Sequence, residues 1–324
     1  MNLFEKYNIF FSDAEEYIKS LNDCNTFFIV DSKLKALYSF IEKLFPIHFI
    51  DADEKNKNLN ELINIFNKLY NHNVDKSYQI IIIGGGLVCD IGSLSSNLWY
   101  RGIKYTLIPT TLLSMTDAAI GGKSAINYLN KKNLIGIISL PNNIVIDLKF
   151  INTLPIEEYN NGLAEIFKHG IGLEKKLFFN LIENKGIVNE NILYDSILCK
   201  LKIIDEDLYE KNKRKLLNLG HTIGHAIEMC YNIKHGYAVA IGLMHELKIS
   251  LNLGITSYNV YKEIVNQLSN YFNLNFNLDK ETIINHILFD KKKKADTIDI
   301  PVVTDIGKSK IISINIDEYL RNWK

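Results

Sequence analysis

Short apolar runs alternate with polar-faced segments through the first half of the chain. Residues 27–31, FFIVD, read as a buried strand ending in a carboxylate, and Lys33–Leu44 repeats its apolar positions at helical spacing. His48–Ile50 reads as a second short strand, Asp51–Asn58 as a polar loop and Leu59–Tyr70 as an amphipathic helix. Ser77–Ile83 is a strong apolar strand that runs straight into Gly84-Gly85-Gly86, and Tyr105–Ile108 and Ile144–Asp147 are further strands. Strands alternating with helices predict an α/β domain built on a parallel, Rossmann-like sheet with helices on both faces. Past Asp147 the pattern becomes mostly helical: Ile156–Phe167, Lys175–Glu183, Ile192–Lys211, His221–Met229, Val239–Leu251, Val260–Tyr271 and Lys280–Leu288. Ile300–Val303 and Ile311–Ile314 look extended. The expected organisation is therefore an α/β domain over 1–150 and an all-α domain over 151–324.

Composition narrows the function classes. Of 324 residues, 47% are hydrophobic, enough for real cores in one large or two medium domains. Lys+Arg and Asp+Glu both number 37, so no polyelectrolyte partner is indicated and nucleic acid is not expected. The cysteines Cys24, Cys89, Cys199 and Cys230 are scattered without a C-x-x-C pair, as in a reduced cytoplasmic protein. No basic and apolar leader opens the chain and no apolar run reaches membrane-spanning length, so neither secretion nor a membrane is expected.

Two stretches carry candidate chemistry. A strand followed by three glycines lets backbone N–H groups approach a phosphate at a helix N-terminus. It is not a G-x-G-x-x-G fingerprint, because position 89 is Cys, and a tight turn explains the glycines equally well. Gly121-Gly122-Lys123-Ser124 is not a phosphate-binding P-loop either, since its leading Gly would fall at Asp117. In Arg214–Gly236 three histidines cluster. His221 and His225 share a helix face, and His235 follows in what reads as a turn. Two such imidazoles could converge on a cation such as zinc, or serve as hydrogen-bonded core residues. Thr222 stands where a zinc peptidase helix carries its Glu, so peptide hydrolysis is excluded by that route.

Seven stretches taken in order decide more than any one of them: GGGLVCDIGS (84–93), YRGIKYTLIPTTLLSMTDAAIGGKSAIN (100–127), KKNLIG (131–136), NGLAEIFKHGI (161–171), LLNLGHTIGHAIE (216–228), HGYAVAIG (235–242) and DKK (290–292). With them the chain resembles the 3-dehydroquinate synthases of the sugar-phosphate cyclase superfamily. The resemblance implies zinc, or cobalt in its place, held by Glu165, His221 and His235. It implies NAD along Gly84, Gly85 and Gly86, with Asp31, Glu54, Lys57, Asp90, Thr110, Thr111, Asp117, Lys123 and Lys132 as further cofactor contacts. It implies a catalytic set of Lys123, Lys168, Lys200, Arg214, Asn218 and His225, and substrate contacts at Lys132, Asn133 and Lys291 or Lys292. Arg101 is expected to reach the site of a neighbouring subunit, making a homodimer. The implied reaction is cyclisation of a phosphorylated keto acid, with transient oxidation, phosphate elimination, re-reduction and aldol closure. The competing readings are a related cyclase with another substrate, a metal-dependent polyol or glycerol-phosphate dehydrogenase of the same fold, and a non-catalytic binding descendant. The chain departs from the pattern at Asp53, Cys89, Ser93, Lys131 and Tyr237. The last stands where the family carries a Glu beside His235, so the surroundings of that histidine are expected to differ.

Overall fold

The computed structural model describes residues 2–21, 25–129, 131–274, 276–291 and 296–323. The chain forms two compact units, Met1–Tyr159 and Asn160–Lys324. The first opens with α1 (Leu3–Lys6), β1 (Ile9–Phe11), α2 (Ala14–Ser20), β2 (Thr26–Asp31) and β3 (Ile47–Ile50). It continues through α3 (Leu59–Asn71), β4 (Gln79–Gly84), α4 (Gly86–Leu98) and β5 (Lys104–Pro109), and ends with β6 (Lys123–Tyr128), β7 (Lys131–Ile138) and β8 (Asn143–Ile146). Six strands make one parallel sheet in the order β1-β8-β5-β4-β2-β3. Its central strands are apolar throughout, because both faces are covered: Phe27–Val30 and Ile80–Ile83 are all buried.

The strand order fixes where a ligand can sit. From β2 the chain crosses outward to β3, whereas from β4 it crosses the other way to β5. The connections therefore diverge between β2 and β4, and the crevice at the carboxyl ends of those two strands is the preferred binding position in such sheets. Asp31 ends β2 and Gly84 ends β4. Gly92 lets α4 lie close on the sheet, since a Cβ there would stand 2.8 Å from an Ile82 side-chain carbon.

Three features of the first unit differ from the pattern reading. Lys33–Leu44 is not one helix but two 3₁₀ turns, Ser32–Ala36 and Ser39–Lys43. The break falls at Tyr38, which is extended, packs its ring edge-on to Phe150 at 4.8 Å and bonds Thr153 through its hydroxyl at 2.7 Å. Tertiary packing of one aromatic outweighs the local period. The edge strand β1 is three residues long, too short to leave a pattern. The antiparallel β6–β7 hairpin was also unmarked, because β7 is largely exposed and does not alternate.

The second unit takes up the chain within α5 (Ile156–Gly172) and continues through α6 (Lys175–Glu183), α7 (Glu190–Glu206), α8 (His221–Tyr231), α9 (His235–Asn252), α10 (Tyr258–Tyr271) and α11 (Lys280–Lys291). It is not all-α: β9 (Thr297–Asp305) and β10 (Lys308–Asn315) form an antiparallel hairpin before α12 (Ile316–Trp323). The α7 helix stops at Glu206 rather than Lys211, because the Asp207 carboxylate turns the chain by accepting the N–H groups of Lys211, Asn212 and Arg214. Helices α8 and α9 meet backbone to backbone. A Cβ at Gly242 would stand 2.1 Å from the Gly220 oxygen and 2.7 Å from the Gly224 nitrogen.

Candidate active site

In the second unit Glu165, His221 and His235 converge, each offering a ligand atom within 4.8 Å of the others. Glu165 lies mid-way along α5 and is completely buried, and both of its oxygens are shut off from solvent. His221 Nε2 stands 3.6 Å and His235 Nε2 3.4 Å from Glu165 Oε1, while the Lys168 ammonium, one turn along α5, pairs with Oε2. His221 and His235 are the first residues of α8 and α9; His235 is thus not in a loop, as its neighbouring glycine suggested. Their Nδ1 atoms are committed to acceptors: His221 to the Leu219 carbonyl at 3.0 Å, His235 to Glu228 Oε2 at 3.0 Å. Each Nδ1 therefore carries a proton and each Nε2 faces the carboxylate. This donor set, two imidazoles and one carboxylate, fits a divalent cation such as zinc.

The charges agree with that fit. Burial alone would raise Glu165, but the Lys168 ammonium and the two imidazoles hold it well below the usual carboxylate range, so it is ionised. Burial and the Lys168 charge keep His221 well below its ordinary value, hence neutral. For His235 burial acts downward, but its bonds to Glu165 and Glu228 carry it to about 10. The nitrogen facing Glu165 thus carries a proton, which a bound cation would displace. Glu228 was missed by the pattern reading, although it lies seven residues, two helical turns, after His221. Tyr237 is turned elsewhere: it accepts a bond from Asn160 at 3.2 Å and packs edge-on to Phe272.

The other expected residues of this unit are largely buried cations. Lys168, Lys200 and Arg214 are 3%, 5% and 3% exposed, far from the usual surface setting of such side chains. Arg214 is aimed by the Asp207 turn and donates to the Leu208 carbonyl, and Asn218 donates to Glu210 at 2.6 Å. His225 is exposed, its ring 5.0 Å from that of His221 and 5.9 Å from that of His235. Lys291 ends α11, and Lys292 lies outside the described residues.

In the first unit the glycine loop opens α4, whose N-terminus has no side-chain cap. The loop is tightly backed: a Cβ on Gly85 would stand 3.1 Å from Thr111 Cγ2, and one on Gly86 3.2 Å from Ala118 Cβ. A helix N-terminus without a cap and a glycine cradle fit the pyrophosphate of a dinucleotide. Thr110 donates its N–H to the Gly84 carbonyl, and Asp117 lies in the π-helical turn Ser114–Ala118. Asp31 is buried, caps the following turn through Lys33 N–H, and is raised by that burial. Lys57 Nζ bridges Asp90 Oδ2 at 2.5 Å and Asn133 Oδ1 at 2.6 Å. Asn133 in turn bonds Asn127, and Asn127 bonds Glu54. Burial pushes Asp90 up to about 6 even against the Lys57 charge. Asn127 is a second residue the pattern reading missed; it ties the hairpin to the 54–57 turn. Lys123 opens β6 and Lys132 lies on β7, both exposed. Arg101 is not among this set. It follows the far end of α4, about 20 Å along the helix from Gly86, in a corner where Tyr100, Arg101 and Gly102 all have positive φ.

Family models described as 3-dehydroquinate synthase N-terminal and C-terminal match residues 47–161 and 162–293. The chain is 38% identical over 319 residues to 3-dehydroquinate synthase of Saccharolobus solfataricus, covering 93% of this chain and 90% of that one. The chain belongs to the 3-dehydroquinate synthase family. Among solved structures it is similar to 2-deoxy-scyllo-inosose synthase complexed with carbaglucose-6-phosphate, NAD+ and Co2+. That likeness has a TM-score of 0.85 at 22% identity over 97% of this chain and 95% of that one. It is also similar to 2-epi-5-epi-valiolone synthase from Streptomyces hygroscopicus with NAD+ and Zn2+ bound, with a TM-score of 0.86 at 22% identity, covering 98% and 95%. These likenesses extend the family's fold over nearly the whole chain. No described helix is long and apolar enough to cross a membrane.

Proposed function

We propose that the protein is a 3-dehydroquinate synthase, converting 3-deoxy-arabino-heptulosonate 7-phosphate to 3-dehydroquinate and phosphate. The observation that carries this reading is the buried Glu165 carboxylate, paired with Lys168 and facing two oriented imidazoles, in a unit that also buries Lys200 and Arg214. Bound NAD would take up and return a hydride at one secondary alcohol, and a divalent cation would polarise that oxygen.

The chain's own residues supply position and charge. Glu165, His221 and His235 would hold the cation, zinc or cobalt. The Gly84–Gly86 loop would cradle the pyrophosphate, Asp31 would accept bonds from a ribose, and the Lys57–Asp90–Asn133 network would keep the cofactor side of the first unit in shape. Buried cations suit an anionic substrate, because a charge withheld from water acts strongly on a partner of opposite sign. Arg214 offers a planar fork to the carboxylate and Lys168 and Lys200 offer ammonium groups to phosphate and ring oxygens. Asn218 would orient a hydroxyl. His225, exposed and one turn from His221, would bond the departing phosphate or move a proton to it. Lys123, Lys132 and the lysines of 291–292 would add charge along the phosphate path. Arg101 stands far from its own glycine loop in a strained corner, a setting typical of functional loops, which supports a homodimer in which it serves a second copy.

The test is phosphate release from that substrate with NAD and zinc supplied and product mass recorded. The expected outcome is release with a dehydroquinate-mass product, no accumulated NADH, and no release by His221→Ala. Steady NADH accumulation from polyols would instead establish the dehydrogenase reading. Zinc-loaded protein that releases no phosphate overturns the assignment.

A further inference from the structure

The N-terminus of α8 lacks the residue that normally finishes a helix. Its cap position is Gly220, left-handed at φ +78° and without a side chain. The missing acceptor comes from another helix. Glu246, on α9 and 4% exposed, accepts the Gly220 N–H through Oε2 at 2.7 Å and the Ile223 N–H through Oε1 at 3.2 Å. Those two amides bracket His221. The same helix begins with His235, so one rigid rod carries one cation ligand at its start and the clasp of the other three turns further on. Gly242 makes this possible by letting the rods touch at the Gly220 carbonyl.

A carboxylate is costly to bury, and a neutral side-chain cap serves a helix whose only task is packing. We infer that Glu246 is a positioning residue of the cation centre: its two bonds fix the first turn of α8, and with it the direction of His221 Nε2 toward Glu165. The inference rests on the metal reading above and extends it to a residue that touches neither cation nor substrate.

The test compares zinc Kd, by competition with a chromophoric chelator, and the visible absorption of the cobalt form, for the full chain and its variants. Glu246→Gln keeps the volume but offers a single acceptor. It is expected to weaken zinc roughly 10- to 100-fold and to alter the cobalt bands, with circular dichroism unchanged. Thr256→Val is the matched control. Its buried hydroxyl bonds Val303 O and Ser250 Oγ, both at 2.6 Å, so the variant loses stability while Kd and bands stay as in the wild type. If Glu246→Gln does not fold, Glu246→Asp, which keeps the charge but withdraws it by one methylene, is read against the same criteria. A folded Glu246 variant with wild-type Kd and bands overturns the inference and leaves the synthase reading standing. A wild type that binds zinc but releases no phosphate removes the synthase reading alone. A wild type that binds no zinc overturns both.

Discussion

His245 shows what one side chain can do to the pH response of the fold. It lies on α9 with the Trp323 ring edge-on at 5.7 Å, and burial, helped by the Lys280 charge, lowers its pKa from 6.5 to about 4. A histidine depressed in the folded chain is protonated first in the unfolded one. Its contribution is therefore complete above pH 6.5 and is lost as pH falls from 6.5 to about 4. The full effect is about 3 kcal/mol, from the size of the shift. Urea unfolding at pH 7 and pH 4.5 should show a smaller acid loss in His245→Phe than in the wild type; an equal loss would contradict the assignment. The legibility of single residues was uneven. The shared face of His221 and His225 was plain from their spacing, yet the imidazole that joins His221 at Glu165 is His235, whose helix begins beyond a turn. Glu165 lies far away in sequence, and only the family resemblance could name it. Glu228 and Asn127 went unnoticed because each acts through another side chain, a relation that leaves no spacing signature.

Helices and strands were read best where burial is continuous and worst where it is partial. Four consecutive isoleucines in β4 and the apolar period of α3 announce themselves. The two 3₁₀ turns over 32–43 and the β6–β7 hairpin do not, because distant contacts and an exposed face decide their form. The α8–α9 pair depends on small residues more than on apolar ones. Gly242→Ala would push a methyl into the Gly220 carbonyl, a contact of 2.1 Å that flexible side chains cannot relieve. The expected cost is about 1–3 kcal/mol from overpacking, seen as a lower urea midpoint, together with weaker zinc retention on dialysis. Retention of both at wild-type level would show that the two helices can separate without consequence.

The whole molecule is expected to act as a pair of chains. If Arg101 serves the partner's site, Arg101→Ala and Glu165→Ala are each inactive alone but complementary when mixed. In a mixed dimer one site has its own Glu165 and receives an intact Arg101. Unfolding and refolding the two variants together should return roughly a quarter of wild-type activity, half the dimers being mixed with one working site each. No recovery would place Arg101 in its own chain's chemistry. The α/β character of the first unit and the helical character of the second were legible from period alone. The strand order was not, since nothing local says that β8 is to lie beside β1.

That neighbourhood has a consequence for how the chain is made. Ile9 pairs with Ile144, and β8 in turn lies against β5. During synthesis the first strand leaves the ribosome early and has nothing to join until the last strand of its sheet has followed. This edge of the sheet is thus sealed by the two strands most distant in time. A nascent chain halted before residue 143 should leave Ile9–Phe11 open to protease, and one halted well beyond 146 should protect it.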